Sequence, residues 1–318
     1  MARTPLLLCV VSGLAFGALA RGGGVPAERP AAGSASARPA AGAGAAGAAP
    51  VVDHAPFDRM LRAHVRDERV DYLVWRKRDG AELDAYLASL ATVDPSALTD
   101  RAERLAFYLN LYNASMIDAV LERVVDGWSP SEASFGVFDD PRIALGSARI
   151  TLNALEHEIV RPEFDEPRIH AALVCAAISC PPILPRAYRA EDLWTVLEDN
   201  MRRFVRDDRR NTVAGGRARL SEIFKWYAED FGPEGPLAFA RNYRAALPQA
   251  NDWIPYDWTL NLAAPVEGTW VVLLDAGDGS PAGTIAEVTG TRDDRVTVAL
   301  PNGRTVARPA TKTRPFEP

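Results

Sequence analysis

The stretch from Leu105 to Val124, LAFYLNLYNASMIDAVLERV, constrains the fold of this chain more than any other. A helix that is apolar on nearly all of its sides must be covered by other structure on nearly all of its sides. Thr99 and Asp100 precede it, and Glu103 follows Asp100 by three positions, which resembles a capping box. The sequence therefore predicts a long buried helix from Asp100 to about Val125, around which the rest of the fold packs.

Two asparagines, Asn110 and Asn113, lie within this helix at a spacing of three residues, so they occupy neighbouring positions on its surface. A buried amide must find hydrogen-bond partners for both its donor and its acceptor. The two side chains are therefore either structural clamps that hold neighbouring backbone or members of a functional site. The sequence leaves both alternatives open.

The composition limits the class of function. With 318 residues, 47% of them hydrophobic, the chain can bury a full core, and its length is typical of about two domains. A net charge of -6 at pH 7 argues against electrostatic capture of nucleic acid or of anionic lipid. The sequence contains no phosphate-binding loop, dinucleotide fingerprint, Gly-x-Ser-x-Gly elbow or His-Glu-x-x-His helix. We therefore expect neither a nucleic-acid partner nor a bound cofactor.

The N-terminus has the three parts of a secretory signal. Arg3 supplies the positive charge, residues 6–16 the apolar core, and residues 18–20 a small-residue cleavage site. A membrane anchor is disfavoured, because the run is shorter than the ~20 apolar residues that a bilayer requires. We predict that residues 1–20 are a signal peptide and that residues 21–50, rich in Ala, Gly and Pro, are a disordered tether. The mature protein is then expected to be exported (periplasmic or extracellular), with no later segment that spans a membrane.

The remaining chain divides into a predicted main α/β (α+β) domain over residues 51–262 and a predicted small β-barrel domain over residues 266–318. Apolar periodicity predicts helices near residues 57–66, 80–90, 100–125, 152–160, 191–205, 221–232 and 239–247. Short β-prone runs at 270–274, 283–288, 295–300 and 305–307, with a hairpin turn at 301–304, predict an SH3-like barrel.

The helix predicted over residues 152–160 carries an acidic residue among its apolar ones. At about 100° per residue, Glu156 lies on the same face as Leu152 and Ile159. A carboxylate on an apolar face is rare unless it is paired or its pKa is raised. We therefore predict that Glu156 is buried against His170 or against one of the two asparagines of the long helix.

Residues 168–177 form a continuous apolar run of strand length, which predicts a central strand covered on both faces. His170 opens this run, and the Pro-Pro pair after Cys180 ends it. In a regular strand Cys180 would lie up to ~30 Å from His170, and Cys175 about 16 Å away on the opposite face. An extended segment therefore separates the histidine from both cysteines unless the chain doubles back at the prolines.

Cys175 and Cys180 have four possible states on the sequence alone. They could form a small disulfide loop in an exported protein, act as reactive thiols, bind a metal or lie inert in the core. A metal is disfavoured, because one histidine and two cysteines at these spacings match no standard structural zinc site and lack a fourth ligand. Thiol catalysis needs a base within hydrogen-bond reach and an orienting acid or amide, which His170 and Glu156 or Asn113 could supply.

Six segments, taken together, closely resemble the family called domain of unknown function 547. They are VDY at 70–72, LAFYLNLYNA at 105–114, LNALEHEIVR at 152–161, RIHAALVCAAISCPP at 168–182, LSEIFKWYAEDF at 220–231 and YDWTLN at 256–261. The resemblance spans residues 53–262 and leaves the tether and the C-terminal barrel outside. It implies no firmly assigned activity.

What the resemblance does imply is a papain-like α/β arrangement, in which a helix packs on a sheet and a Cys-His pair performs acyl chemistry. Carried over position by position, the family motif points to Asn110, Asn113, Glu156, His170, Cys175 and Cys180. Some plant members carry another residue at the position of Cys180, so a Cys180 nucleophile would not be general to the family.

From the residues and the resemblance together we predict an exported thiol hydrolase or transferase that acts on amide bonds, in peptides or in cell-envelope polymer. The predicted site consists of a nucleophile, a base, an orienting acid and an amide donor, namely Cys180, His170, Glu156 and Asn113, with Cys175 and Asn110 as second-line candidates. The alternative is a non-catalytic binding protein, in which a Cys175–Cys180 disulfide and a buried polar network hold the fold.

Overall fold

The computed structural model describes residues 52–124, 127–263, 269–292 and 295–316, all of them in the unit Ala48–Pro318. These residues combine helices with strands, which confirms the predicted α+β class. The predicted signal peptide, residues 1–20, and the predicted tether, residues 21–50, lie outside the described residues. No helix within the described ranges is both long enough and apolar enough to cross a bilayer.

In the described part of the chain, helices α1 to α9 span Ala55–His64, Tyr72–Leu90, Arg101–Arg123, Glu132–Asp139, Leu152–Ala154, Arg161–Phe164, Leu193–Arg206, Ile223–Trp226 and Gly235–Tyr243. Strands β1 to β12 span Val65–Arg66, Arg69–Val70, Ile143–Leu145, Ala148–Ile150, Thr212–Ala214, Arg217–Ser221, Asn251–Ile254, Thr269–Leu273, Ile285–Arg292, Arg295–Ala299, Thr305–Pro309 and Thr313–Pro315. Short 3-10 turns occupy Pro95–Ala97, Pro167–Ala171, Ala190–Asp192, Ala228–Phe231 and Ala310–Lys312, and a π turn, Leu155–Val160, joins α5 to α6.

Helix α3 is the buried centre of the main core, as its sequence predicts. The Asp100 side chain accepts a hydrogen bond from the backbone N–H of Glu103 at 2.8 Å, so the predicted cap is present. Leu105, Leu109 and Met116 are fully buried. Burial contributes ~1.5–3 kcal/mol for each side chain of this size. Helix α2, the π turn and the 3-10 turn at 190–192 all pack against α3.

Helix α2 begins well before its predicted start. The prediction places it near Gly80, but Asp71 caps it by accepting a hydrogen bond from the backbone N–H of Val74 at 3.4 Å. Tyr72, Leu73 and Trp75, which follow this cap, are buried. Packing against the core therefore extends the helix through residues before 80, where the sequence analysis predicted no helix.

The predicted central strand at residues 168–177 is wrong. This segment begins as a 3-10 turn, Pro167–Ala171, and continues as irregular chain. Pro167 favours the first position of a helical turn, and the Glu166 side chain caps that turn by accepting from the backbone N–H of Arg168 at 3.1 Å. Only an isolated antiparallel bridge, Ala177 to Leu260, resembles strand pairing here. The apolar run is buried, as predicted, but it is buried as a turn and loop.

Within the described residues the strands form small sheets. Strand β6 pairs antiparallel with β5 and parallel with β7. Within the described residues the C-terminal strands form an antiparallel sheet in the order β11-β10-β9-β8-β12, so the β-prone runs after residue 268 are strands as predicted. Trp270, Val272 and Ile285 from this sheet join the main core. Closure into an SH3-like barrel and the papain-like arrangement of the main domain stay predictions.

Candidate functional site

The two asparagines of α3 clamp neighbouring backbone. The Asn113 amide donates to the Ala172 carbonyl at 2.9 Å and accepts from the Val174 N–H at 3.0 Å. Asn110 makes the same pair of bonds to the backbone of Tyr188, at 2.8 and 2.9 Å. Asn113 therefore hydrogen-bonds the carbonyl and N–H groups of residues 172–174 that a neighbouring strand would otherwise bind. It thereby fixes the start of the loop that carries both cysteines.

Replacing Asn113 by alanine should lower the free energy of unfolding by about 2–4 kcal/mol, because two buried backbone groups lose their partners. Urea denaturation measures this, with Asn110→Ala as the matched control that removes the same pair of bonds at Tyr188. Both variants should lose similar stability, but only Asn113→Ala should also change the alkylation rate of Cys175. An Asn113→Ala protein as stable as its parent would show that the amide is not a clamp.

The cysteine loop turns sharply at Ala176. This residue is buried and has a left-handed backbone with φ of 61°, a conformation that costs a non-glycine residue free energy and that is enriched at functional sites. The chain around it is held by residues 259–261. The Ala176 carbonyl accepts from the Asn261 N–H at 2.9 Å, and the Ile178 N–H donates to the Thr259 carbonyl at 2.8 Å. The turn places Cys175 and Cys180 side by side.

Cys175 and Cys180 are both free thiols in this structure, so the disulfide of the alternative prediction is not formed. The backbone N–H of Cys175 donates to Cys180 Sγ at 2.9 Å. Cys175 Sγ lies 3.1 Å from the Tyr256 hydroxyl. Cys180 is 3% exposed, whereas Cys175 is partly exposed. As a residue, Cys175 is therefore the more exposed of the two.

The proton affinities of the two thiols diverge. Burial by itself raises the pKa of Cys175, but hydrogen bonds from the Cys180 thiol, the Tyr256 hydroxyl and the backbone N–H of Ala177 bring it below the ordinary value of a cysteine. Burial and the hydrogen bond to Cys175 raise the pKa of Cys180 well above that value. Burial and the neighbouring Cys175 also raise the pKa of Tyr256, so its hydroxyl stays protonated and available to donate. Cys175 therefore ionises first.

Arg210 anchors the far end of the cysteine loop. Its guanidinium donates to the carbonyls of Cys180 at 2.8 Å and Ile178 at 2.9 Å. The same group forms salt bridges with Asp207 and with Glu68, and it is almost completely buried. One side chain thus satisfies two loop carbonyls and two carboxylates, and it holds Cys180 in place against Cys175.

His170 is paired with an acid that the sequence-based prediction missed. Its Nε2 atom lies 2.6 Å from the Asp230 carboxylate, and its ring stacks on Tyr227 with a centroid distance of 4.0 Å. Arg161 donates to the same carboxylate through two nitrogens, at 2.7 and 2.8 Å. The predicted pairing of His170 with Glu156 is therefore wrong, since the carboxylate at its Nε2 atom is that of Asp230.

Replacing Asp230 by asparagine should make stability less dependent on pH. Burial alone would raise the pKa of Asp230, but hydrogen bonds from His170 and Arg161 hold it well below its ordinary value. A lowered pKa stabilises the folded state above the unfolded value of about 4, and that contribution is lost as the pH falls below it. The difference in unfolding free energy between parent and Asp230→Asn should shrink between about pH 4 and about pH 2. Urea titrations across this range measure it, and a difference that grows on acidification contradicts the assignment.

Glu156 is buried, as predicted, but with different neighbours. It is 7% exposed and forms a hydrogen bond with the Tyr227 side chain, and its charge also acts on Tyr112 and Cys175. The prediction placed it against His170, Asn110 or Asn113. The π turn at Leu155–Val160 contains Glu156, so the regular α-helical spacing assumed in the prediction does not hold there. Tyr227 therefore lies between Glu156 and His170 and contacts both.

An aromatic cluster of Phe135, Trp226, Tyr256 and Trp258 adjoins the thiols. The Tyr256 ring centroid lies 4.8 Å from that of Trp226 and 4.6 Å from that of Trp258. Trp258 also contacts Phe135, at 4.7 Å. Trp226 is 44% exposed. The cluster therefore presents an open apolar surface, joined through Tyr256 to Cys175.

These contacts describe an α+β protein with two neighbouring thiols, an aromatic cluster beside one of them, and a His–Asp pair whose histidine is buried. Within the residues described, no group of three or more His, Cys, Asp or Glu side chains is placed to hold a metal ion.

Residues 95–205 match the family model described as "Protein of unknown function, DUF547", and this match confirms the resemblance noted in the sequence. The matched region includes the six site residues predicted from the sequence and ends before Tyr227, Asp230 and Tyr256. The comparison with curated proteins found no match, and neither did the comparison with solved structures.

The site residues that the prediction missed come from distant parts of the chain. Tyr227, Asp230 and Tyr256 contact His170 or Cys175, and Arg210 holds the loop. Three of the four stand in LSEIFKWYAEDF and YDWTLN, segments that carry the family resemblance but were given no role. A polar residue inside such a segment is the signal that could have found them. Arg210 lies outside every quoted segment.

Proposed function

We propose that this protein is an exported thiol hydrolase or transferase that acts on acyl bonds such as amides, with Cys175 as its nucleophile. The observation that carries the proposal is the surroundings of the Cys175 sulfur. Three donors, on Cys180, Tyr256 and Ala177, favour its thiolate, and the sulfur belongs to a partly exposed residue next to a left-handed turn. This replaces the earlier assignment of Cys180, whose buried thiol resists ionisation.

In this proposal the Cys175 thiolate attacks the carbonyl carbon of the substrate and forms a thioester as the amine leaves. The leaving amine needs a proton, and we assign His170 to deliver it from Nδ1, because its Nε2 atom is bonded to Asp230. Arg161 in turn holds the Asp230 carboxylate. Tyr227 couples this pair to Glu156. Water or a second amine then cleaves the thioester, which gives hydrolysis or transfer.

Substrate binding is assigned to the aromatic cluster. Trp226 is its most exposed member, and Tyr256 connects the cluster directly to the Cys175 sulfur. An apolar aromatic surface next to the Cys175 sulfur suits a peptide or a cell-envelope polymer that lies across it. The same surface also favours the rival function, a binding protein without catalysis, so the two must be separated by experiment.

p-Nitrophenyl acetate tests the acyl chemistry. An active thiol enzyme should release p-nitrophenol, gain one acetyl group by intact mass and carry that group on Cys175 in peptide maps. Denatured protein at the same concentration is the control for general thiol reactivity. A folded protein that is acetylated no faster than the denatured control would contradict the enzyme and favour the binding protein.

Export is the remaining part of the proposal, and it rests on the three-part signal in residues 1–20. Protein recovered from the exported fraction should begin at or near Arg21. Intact-mass measurement decides this, and exported protein that retains Met1 would contradict it.

A further inference from the structure

We propose that Cys175 and Cys180 form a reversible oxidation site, at which a peroxide converts the two thiols into a disulfide and a reductant restores them. The inference rests on the proposed reactive thiol at Cys175, but its chemistry is independent of acyl transfer.

Cys180 lies close enough to Cys175 for the two sulfurs to be joined after a side-chain rotation. Cys180 Sγ lies 2.9 Å from the backbone nitrogen of Cys175. Because the N–Cα bond is about 1.46 Å long, that sulfur is within about 4.4 Å of the Cα atom of Cys175. The two thiols are also close enough to shift each other's pKa. A rotation of the Cys175 side chain, with little movement of the backbone, therefore brings the sulfurs to bonding distance.

The loop holds this arrangement in place from both ends. Asn113 fixes residues 172–174, and Arg210 binds the carbonyls of Ile178 and Cys180. The cysteines are thus presented to each other by the folded chain and do not depend on a chance encounter. The two residues also differ in exposure, since Cys175 is a partly exposed residue and Cys180 is a buried one.

The oxidation takes place in two steps. The Cys175 thiolate attacks one oxygen of hydrogen peroxide, the O–O bond breaks, hydroxide leaves, and the sulfur becomes a sulfenic acid. The Cys180 thiol then attacks that sulfur, the S–S bond forms, and the sulfenic oxygen leaves as water with the Cys180 proton. The two thiols together lose two electrons to the peroxide. The resulting disulfide removes the Cys175 thiolate, so oxidation should switch off acetylation by p-nitrophenyl acetate.

The full chain, treated with hydrogen peroxide and then alkylated, provides the test. The intact mass before alkylation should fall by two hydrogen atoms, peptide maps after alkylation should contain a Cys175–Cys180 cross-link, and dithiothreitol should reverse both changes. Cys180→Ser is the matched control, because it leaves the attacking thiol without its partner. In that variant dimedone should trap a sulfenic acid on Cys175, and no cross-link should form.

Three results would overturn the inference: sulfinic acid on Cys175 of the parent without a cross-link, a cross-link only between separate molecules, or two unmodified thiols under conditions that oxidise a cysteine peptide. The readout also separates this inference from the proposed function. A protein that forms the cross-link but is never acetylated would lose the acyl-transfer proposal and keep the oxidation site. A protein that is acetylated on Cys175 but forms no cross-link would contradict the oxidation site and support the acyl-transfer proposal.

Discussion

Replacement of Cys175 by serine should abolish acetylation by p-nitrophenyl acetate, whereas replacement of Cys180 by serine should leave most of it intact. A serine hydroxyl is not ionised near neutral pH, and the donors around Cys175 cannot change that. We expect a loss of roughly 10³-fold or more in the rate of p-nitrophenol release, as is typical when a nucleophile is removed. Stopped-flow absorbance gives the rate, and peptide mapping gives the acetylated residue.

The Cys180→Ser variant is the control for this experiment. It removes a thiol from the same loop, and its hydroxyl can still donate to the Cys175 sulfur and accept from the Cys175 N–H. A Cys180→Ser protein that is inactive beside an active Cys175→Ser protein would restore the assignment made from the sequence. Circular dichroism should show that both variants are folded before either rate is interpreted.

Replacement of Arg210 by alanine should lower the free energy of unfolding by about 3–5 kcal/mol, the cost typical of removing one partner from a buried ion pair. The carbonyls of Ile178 and Cys180 would lose their donor, and Asp207 and Glu68 would lose their buried cation. The cysteine loop depends on those bonds, so we also expect slower alkylation of Cys175. Urea denaturation and alkylation kinetics measure the two effects.

Arg209 offers a matched control for Arg210. It binds the same two carboxylates, Asp207 and Glu68, but its side chain is 67% exposed. Exposed ion pairs contribute little, so Arg209→Ala should cost less than about 1 kcal/mol. Equal losses for the two arginine variants would mean that the burial of Arg210 and its bonds to the loop carbonyls contribute nothing.

The error at residues 168–177 has a clear physical origin. An unbroken apolar run indicates burial, but burial alone does not distinguish a strand from a covered loop. Asn113, which is far away in the sequence, hydrogen-bonds the backbone of residues 172–174 in place of a neighbouring strand. The left-handed backbone of Ala176 then turns the chain sharply. Tertiary contacts of this kind override local propensity. The expected separation of ~30 Å between His170 and Cys180 assumed a regular strand, so it does not apply to the turn and loop that are observed.

Other parts of the fold could be predicted because local sequence determines them. Helix α3 combines an Asp100 cap with an apolar surface on nearly all of its sides, and both features are read directly from consecutive residues. The C-terminal strands follow from β-prone runs separated by turn residues such as Asn302-Gly303. By contrast, the partners of Glu156 depend on a π turn and on Tyr227, neither of which has a local signature.

The same contrast applies to the candidate site. Sequence and family resemblance selected residues that do lie around one turn, including Asn113, Cys175 and Cys180. They did not assign the order in which the two thiols ionise. That order depends on the Tyr256 hydroxyl and on the Ala177 N–H, groups that only the folded loop brings to Cys175.

The central claim is that Cys175, and not Cys180, is the reactive thiolate. The rate of iodoacetamide alkylation at each cysteine, followed by peptide mapping across a series of pH values, tests it most directly. We predict that Cys175 of the folded protein is alkylated alone and that its rate rises with a midpoint below the ~8.5 of an ordinary cysteine. Alkylation of Cys180 first, or a Cys175 midpoint at or above that of an ordinary cysteine, would contradict the claim.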